Sequence, residues 1–387
     1  MSQTARGYKS TCLLDFETTF GADPAGGIKK GRLMPINENR IRGSRDKSAP
    51  GTITGTRNPA EPFDDRLDVR GDLVVPVDAR AFPYWLFAMF GAPTTETLES
   101  AWEGVTEVSV GDIVVPTTSN DHYYVCTQAG TTSDTEPTWP TDGETVTDGT
   151  AIWEDAGTEY PGMYKHTFKV GDTQPSMVIE RKFASPSATI THVRHNGVKI
   201  GSWSVDFSGD GELTASLSCV GANERLEGSA YDADPDVITL ERFGKRHASM
   251  KEGGESVATC TGLDLAIDFG LDDDTYVLAG DIRGDLMEGL MGVSGNGTFF
   301  FRDTDLLQKA IDSTESSIVC VLERGDFKME IHIPELQYAQ ETPEVSGPQG
   351  VRLRLPFQGY YADDPNESAI YVVVYNDADG SDYALAG

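Results

Sequence analysis

Histidine, cysteine and converging carboxylates build most catalytic and metal centres, and this 387-residue chain offers none of them in a working arrangement. Its six histidines are His122, His166, His192, His195, His247 and His332. His192 and His195 would pair on a helix, but T-I-T-H-V-R-H-N-G reads as a strand and turn, which sends residues three apart to opposite faces. Packing or surface roles follow for both. N-D-A-D-G-S-D, with Asp377 and Asp379, is similar to a calcium loop, yet Tyr375 fills the first ligand position and a plain turn is the better reading. There is no G-x-S-x-G, no Gly-rich phosphate loop and no H-E-x-x-H. Cys12, Cys126, Cys219, Cys260 and Cys320 are odd in number, scattered and outside any C-x-x-C pair, so inert thiols are expected rather than disulfides or a zinc site. With 62 acidic residues, adjacent carboxylates arise from abundance alone. The expectation is no enzymatic activity, no metal and no cofactor.

Aromatic chemistry remains. Ala101 to Ala156 holds Trp102, Trp139 and Trp153, three of the five tryptophans, among short alternating runs broken by Gly, Asp and Pro. These runs predict a miniature all-β insert of three or four strands over residues 101–156. Its G-T-T-S, P-T-W and D-G-T-A-I-W segments resemble small carbohydrate-binding modules of the chitin-binding type. Aromatic faces stack on sugar rings, and a repeated module would bind surface glycans weakly but multivalently. Trp139, Tyr123 and Tyr124 are the residues expected at such a surface, with Trp102 and Trp153 as further candidates. Against this, a module of about 55 residues needs large side chains merely to build a core.

Charge narrows the partners. The net charge of −31 excludes ordinary nucleic-acid binding, whose affinity comes from Lys and Arg releasing counterions, and argues against docking on anionic lipid. No signal-peptide core precedes the fold and no run approaches the roughly 20 apolar residues of a membrane span, so folding in a cytoplasm is expected. Residues 21–52 are the exception, rich in Gly, Pro and Asn and locally basic through Lys29, Lys30, Arg32, Arg40, Arg42, Arg45 and Lys47. A structureless connection that long usually has a function, and an inter-ring arm that reaches a neighbouring ring and orders on its acidic surface is the favoured one.

The elements that carry these residues are organised around Thr52 to Gly91. Leu67, Val69, Gly71 and Leu73 alternate as in a half-buried strand, extended by Val74, Val75 and Val77. Asp78 stands as an N-cap, Phe82, Trp85, Leu86 and Met89 recur at helical spacing, and Gly91 marks the stop of an amphipathic helix. The order repeats downstream: G-N-G-T-F-F-F-R-D reads as a strand, and D-L-L-Q-K-A-I-D-S-T as a helix burying Leu306, Leu307, Ala310 and Ile311. A hairpin follows each helix, at Tyr164 to Phe183 and at Ser316 to Pro334, and a further strand pair follows each hairpin. One small β-rich fold is used twice. The expected domains are 1–98 with 160–230, interrupted by the insert, and 231–387.

The run L-D-F-E-T-T-F-G-A-D-P, the long polar arm, I-T-G-T-R-N-P and V-R-G-D-L-V-V-P-V-D before the helix resemble the tail tube proteins of long-tailed bacteriophages, from about Leu14 to Tyr361. The resemblance implies a mainly β fold: two tandem β-sandwich or barrel domains, each with a short helix, plus the all-β insert as an outer decoration. It implies a structural subunit of the virion tail, assembled in the host cytoplasm, whose rings stack into a tube that conducts DNA during ejection. Tail terminator, tape measure and tail-tip proteins would be its partners beside itself. Since single tube domains of the family form hexameric rings, a double chain implies a trimeric ring of sixfold appearance. The strands Leu67 to Val77, Lys199 to Gly221, Val257 to Leu271 and Val351 to Tyr361 are then expected in the inner barrel, with Asp68, Asp206, Asp210, Glu212, Asp264 and Asp268 as a negative lumen lining. The alternative is a tail-associated adhesin that binds carbohydrate through the tryptophan-rich insert.

Overall fold

The computed structural model describes residues 5–25, 29–158, 160, 162–183, 191–278, 280–345 and 347–385. They fall into two compact units, one of residues 1–93, 167–374 and 383–387, the other of residues 94–166 and 375–382.

The first unit is mainly β. Its first half runs β1 (Thr11–Phe16), β2 (Arg32–Met34), β3 (Glu38–Asn39), β4 (Arg42–Ser44), β5 (Asp68–Pro76), α1 (Phe82–Phe90), β6 (Met177–Phe183), β7 (Thr191–Asp206) and β8 (Thr214–Gly221). Its second half runs β9 (Ala248–Glu252), β10 (Cys260–Asp268), β11 (Gly292–Phe300), α2 (Asp305–Ile311), β12 (Ser316–Arg324), β13 (Phe327–Tyr338) and β14 (Arg352–Tyr360). In the first half the antiparallel partners are β1–β6, β6–β7, β7–β8, β8–β5 and β5 with β3 and β4. In the second they are β9–β12, β12–β13, β13–β14, β14–β11 and β11–β10. Strand for strand the same ladder is built twice. Register agrees as well: Gly221 faces Val69 as Gly359 faces Val293.

The halves join edge to edge, because β7 runs past its own hairpin and pairs with β10, Ser202 opposite Asp268 and Asp206 opposite Asp264. One continuous antiparallel sheet results, in the order β5, β8, β7, β10, β11, β14. Period-two patterning dictates which side is dry. Leu73, Trp203, Leu217, Leu265, Phe299 and Leu355 are buried on one face. The segment joining the halves is anchored to the first: the Tyr231 hydroxyl donates to Asp15 at 2.8 Å, and its backbone N–H donates to Glu180, which also receives Arg194 at 2.8 and 3.0 Å.

Helix α1 corrects an expectation. All nine of its residues are buried, not one stripe of them, because Tyr84, Phe87 and Phe90 fill the side that an amphipathic helix would leave wet. Asp78 does serve its start, accepting the N–H groups of Arg80 and Ala81, and burial pushes its carboxyl above the usual range. Helix α2 is also corrected. Of its expected buried face only Ala310 is buried, and Ile311 stands 47% exposed.

Residues 21–52 are not a structureless arm. Strand β2 pairs with β1, and β3 and β4 fold back onto β5, with Gly71 making the close approach possible. Gly71 has φ +152°, and a Cβ there would lie 2.3 Å from the Arg40 carbonyl oxygen. Gly71→Ala is therefore expected to lower stability by about 1–3 kcal/mol, read as a drop in the urea midpoint.

The second unit contains a five-stranded sheet in the order Thr145–Asp148, Ala151–Asp155, Tyr124–Gln128, Ile113–Val115, Ser100–Ala101. That is more than the three or four strands expected, since Ser100–Ala101 is too short to leave a pattern. Val114, Tyr124, Cys126 and Trp153 form its core, with Trp102 and Trp139 packed against it.

Candidate functional site

The feature with the largest extent is the wet face of the continuous sheet. Alternation places Asp72, Ser216, Ser204, Asp206, Asp264, Asp268, Ser294, Asn296, Arg354 and Gln358 on it, opposite the core face. Apart from Arg354 and Gln358 at the β14 border, these side chains are short and polar. Asp206 and Asp264 stand as a cross-strand pair, and Asn296 donates to Asp264 at 3.0 Å. Burial works to raise the Asp206 carboxyl, but hydrogen bonds from Ser208 and the charge of Lys245 outweigh it and hold the group below the usual range. Like charges directly opposite one another are destabilising in a ladder, and here Lys245 and Ser208 at Asp206 and the Asn296 amide at Asp264 supply the offsetting interactions. It is bordered by Arg70 on β5 and by Arg352 and Arg354 on β14.

Three of the residues expected on a negative lining lie elsewhere or are neutralised. Asp68 sits at the end of β5, bound by Arg70 and by Arg283 at 2.6 Å. Burial would raise its carboxyl, yet the two guanidinium groups hold it low. Asp210 and Glu212 belong to the β7–β8 turn at the sheet's end, where Asp210 is exposed and Glu212 accepts from Asn37 and pairs with Arg242 at 3.4 Å. Sequence reasoning also left β11 out of the wall. Its inward positions are Gly295 and Gly297 between Val293 and Phe299, and the missing side chains hide the alternation.

The basic residues of 21–52 do not form one reaching arm. Arg32 is buried and stacks on Tyr84 at 4.6 Å, and Lys29 covers the Tyr231 ring at 4.2 Å. Lys47 pairs with Asp64, Arg40 with Glu38, and Arg45 with Asp281 at 2.8 Å, while Lys30 and Arg42 are exposed. The excursion that does leave the fold is 45–66, where Ile53 is 95% and Phe63 66% exposed.

Both borders of the sheet differ from its interior. On β14, Arg352–Leu355 have β11 on one side and no described strand on the other, because β13 stops at Tyr338. At the opposite border the outward backbone groups of β3 and β4 are met by side chains: Arg181 donates to the Asn39 carbonyl, Asn39 accepts from the Ile41 N–H, and Glu224 accepts from the Gly43 N–H. Such caps blunt an edge that would otherwise recruit another chain indiscriminately.

In the second unit the expected aromatic surface is largely a core. Tyr124 and Trp153 are fully buried, a correction that follows from the module's size. The Tyr124 ring lies 4.4 Å from Trp139 and its hydroxyl donates to the Pro140 carbonyl. Trp139 is half-buried with its N–H on Glu136, and the N–H groups of Trp102 and Trp153 share Asp148. Tyr123 keeps partial exposure and meets Tyr160 edge-on at 5.0 Å.

His192 and His195 are both buried on β7, His195 held by Glu224 at 2.9 Å. Four of the five thiols are buried and none is bridged, and burial pushes Cys12 up to about 12. Among the described residues no three His, Cys, Asp or Glu side chains gather as metal ligands.

Against known proteins, the family model described as phage tail tube protein matches residues 7–359. No curated protein matches the chain.

Proposed function

The chain belongs to the phage tail tube protein family, and on that premise we propose that three copies close into one ring whose wall has six related segments. The observation that carries this reading is the double ladder. Within one chain, β7 of the first half already adds to β10 of the second, edge to edge. An edge contact that repeats with a fixed rotation closes into a ring. Two of six segments being covalently joined, three chains complete the turn.

The wet face of the sheet becomes the lumen lining. Between the Arg70 and Arg352–Arg354 borders, its short Ser, Thr and Asn side chains and central carboxylates give DNA phosphates no row of cations on which to lodge, so the polymer slides without specific binding. Rings then stack head to tail into the tube, and the tail terminator, tape measure and tail-tip proteins bound its ends. The second unit is a decoration whose aromatic residues serve chiefly its own core. Purified full-length protein is expected to give rings or tubes in negative-stain micrographs. Discrete particles that instead bind polysaccharide would replace this reading with the adhesin.

A further inference from the structure

The second unit keeps one groove that its own core does not fill, with a volume of about 530 Å³. Half-buried Trp102, Val108 and Ile113 and buried Trp153 make its floor, and exposed Glu103, Glu107 and Asp112 stand at its rim. It lies apart from Trp139, Tyr123 and Tyr124, where composition alone would place a sugar.

The groove is preformed. The Trp102 backbone N–H donates to the Val115 carbonyl at 2.9 Å and its indole N–H to Asp148 at 2.8 Å, so the ring is held in one orientation. The Thr132 hydroxyl donates to the Glu103 carbonyl at 2.7 Å and fixes the rim. Between the two glutamates Val105 stands at φ +57° with its side chain 70% exposed, a backbone conformation that strains a β-branched residue and that the surrounding anchors must impose.

Charge selects the occupant. No Lys or Arg lines the groove, and Lys165, the one such residue in 94–166, is paired with Glu96 at 3.0 Å. One oxygen of Asp112 takes the Ser109 N–H, so nothing in the groove balances its second oxygen, Glu103 or Glu107. Uncompensated carboxylates around an indole repel phosphate, sulfate and uronate groups. They favour an ammonium carried on a flat apolar face. We propose that this groove binds glucosamine units with free amines in a polysaccharide, the C–H face of the pyranose lying on Trp102 and the ammonium meeting Glu103 and Glu107. The site goes beyond the tube reading and does not depend on it, and copies repeated along a tube would add weak contacts into avidity.

The test is isothermal titration calorimetry of the full-length protein with a glucosamine hexamer, its fully N-acetylated counterpart and a lysine hexamer of the same charge. The glucosamine hexamer is expected to bind at least about tenfold more tightly than either of the others. Glu103→Gln combined with Glu107→Gln, at exposed positions, is expected to weaken it about fivefold with the melting temperature unchanged. Trp102→Leu is expected to weaken it about tenfold; should that variant melt early, the glutamine pair alone decides. No binding, equal affinity for the acetylated or the lysine hexamer, or binding that the glutamine pair leaves unchanged overturns the proposal.

Discussion

Replacing Arg283 with methionine is expected to lower the stability of the first unit by about 2–4 kcal/mol, among the largest effects of any single polar substitution in the chain. The guanidinium is buried and supplies donors to three acceptors on different segments: Asp68, the Gly221 carbonyl and the Asp273 carbonyl. Methionine fills the volume but leaves two carbonyls unpaired and removes one of the two cations beside Asp68. Lysine is expected to rescue poorly, since a single ammonium cannot reproduce the planar fork. Calorimetry gives the size, and hydrogen exchange gives the place. Protection of the Leu67 N–H, which donates to Asp281 on the same connection between β10 and β11, should fall more than that of β12 or β13. Equal loss everywhere, or a change below about 1 kcal/mol, contradicts the assignment of Arg283 as the tie between halves.

Trp85→Ala is expected to cost about 3–5 kcal/mol, because the side chain is fully buried in a helix with no wet face and neighbours on every side hold the cavity open. The informative control is Trp85→Phe. Among the described residues the buried Trp85 indole N–H has no hydrogen-bond partner, so phenylalanine loses volume but no bond, and a cost of about 1 kcal/mol is expected. Thermal melts of the two variants decide it. Similar costs for both would mean the indole N–H is satisfied and that packing is not what α1 contributes.

The repeat was legible in the sequence because its signals are local. Alternation at Leu67–Leu73 and in C-T-G-L-D-L-A-I-D, and a helix-forming run after each, need no knowledge of partners. What was hidden depends on the third dimension. The G-N-G-T-F-F-F run of β11 reads as a strand, but Gly295 and Gly297 leave its core-facing positions without side chains, so its place in the wall could not be read. Arg32 sits in a run of Gly, Pro and Lys that looks solvated, yet its guanidinium is stacked on Tyr84 of α1, some fifty positions on. Tyr124 and Trp153 carried the composition of a sugar-binding face, and a small module used them as core. The tie made by Arg283 lies in a stretch, D-D-D-T-Y-V-L-A-G-D-I-R, that gives no periodic signal at all.

The central claim is that one chain holds two successive segments of a sixfold wall. A rotationally averaged cryo-electron micrograph of tube cross-sections, with chains counted per ring, tests it most directly. Three chains per ring, with six similar wall segments and second units at three positions, is the expected result. Six chains per ring, or a wall in which the two halves occupy unrelated places, would contradict it.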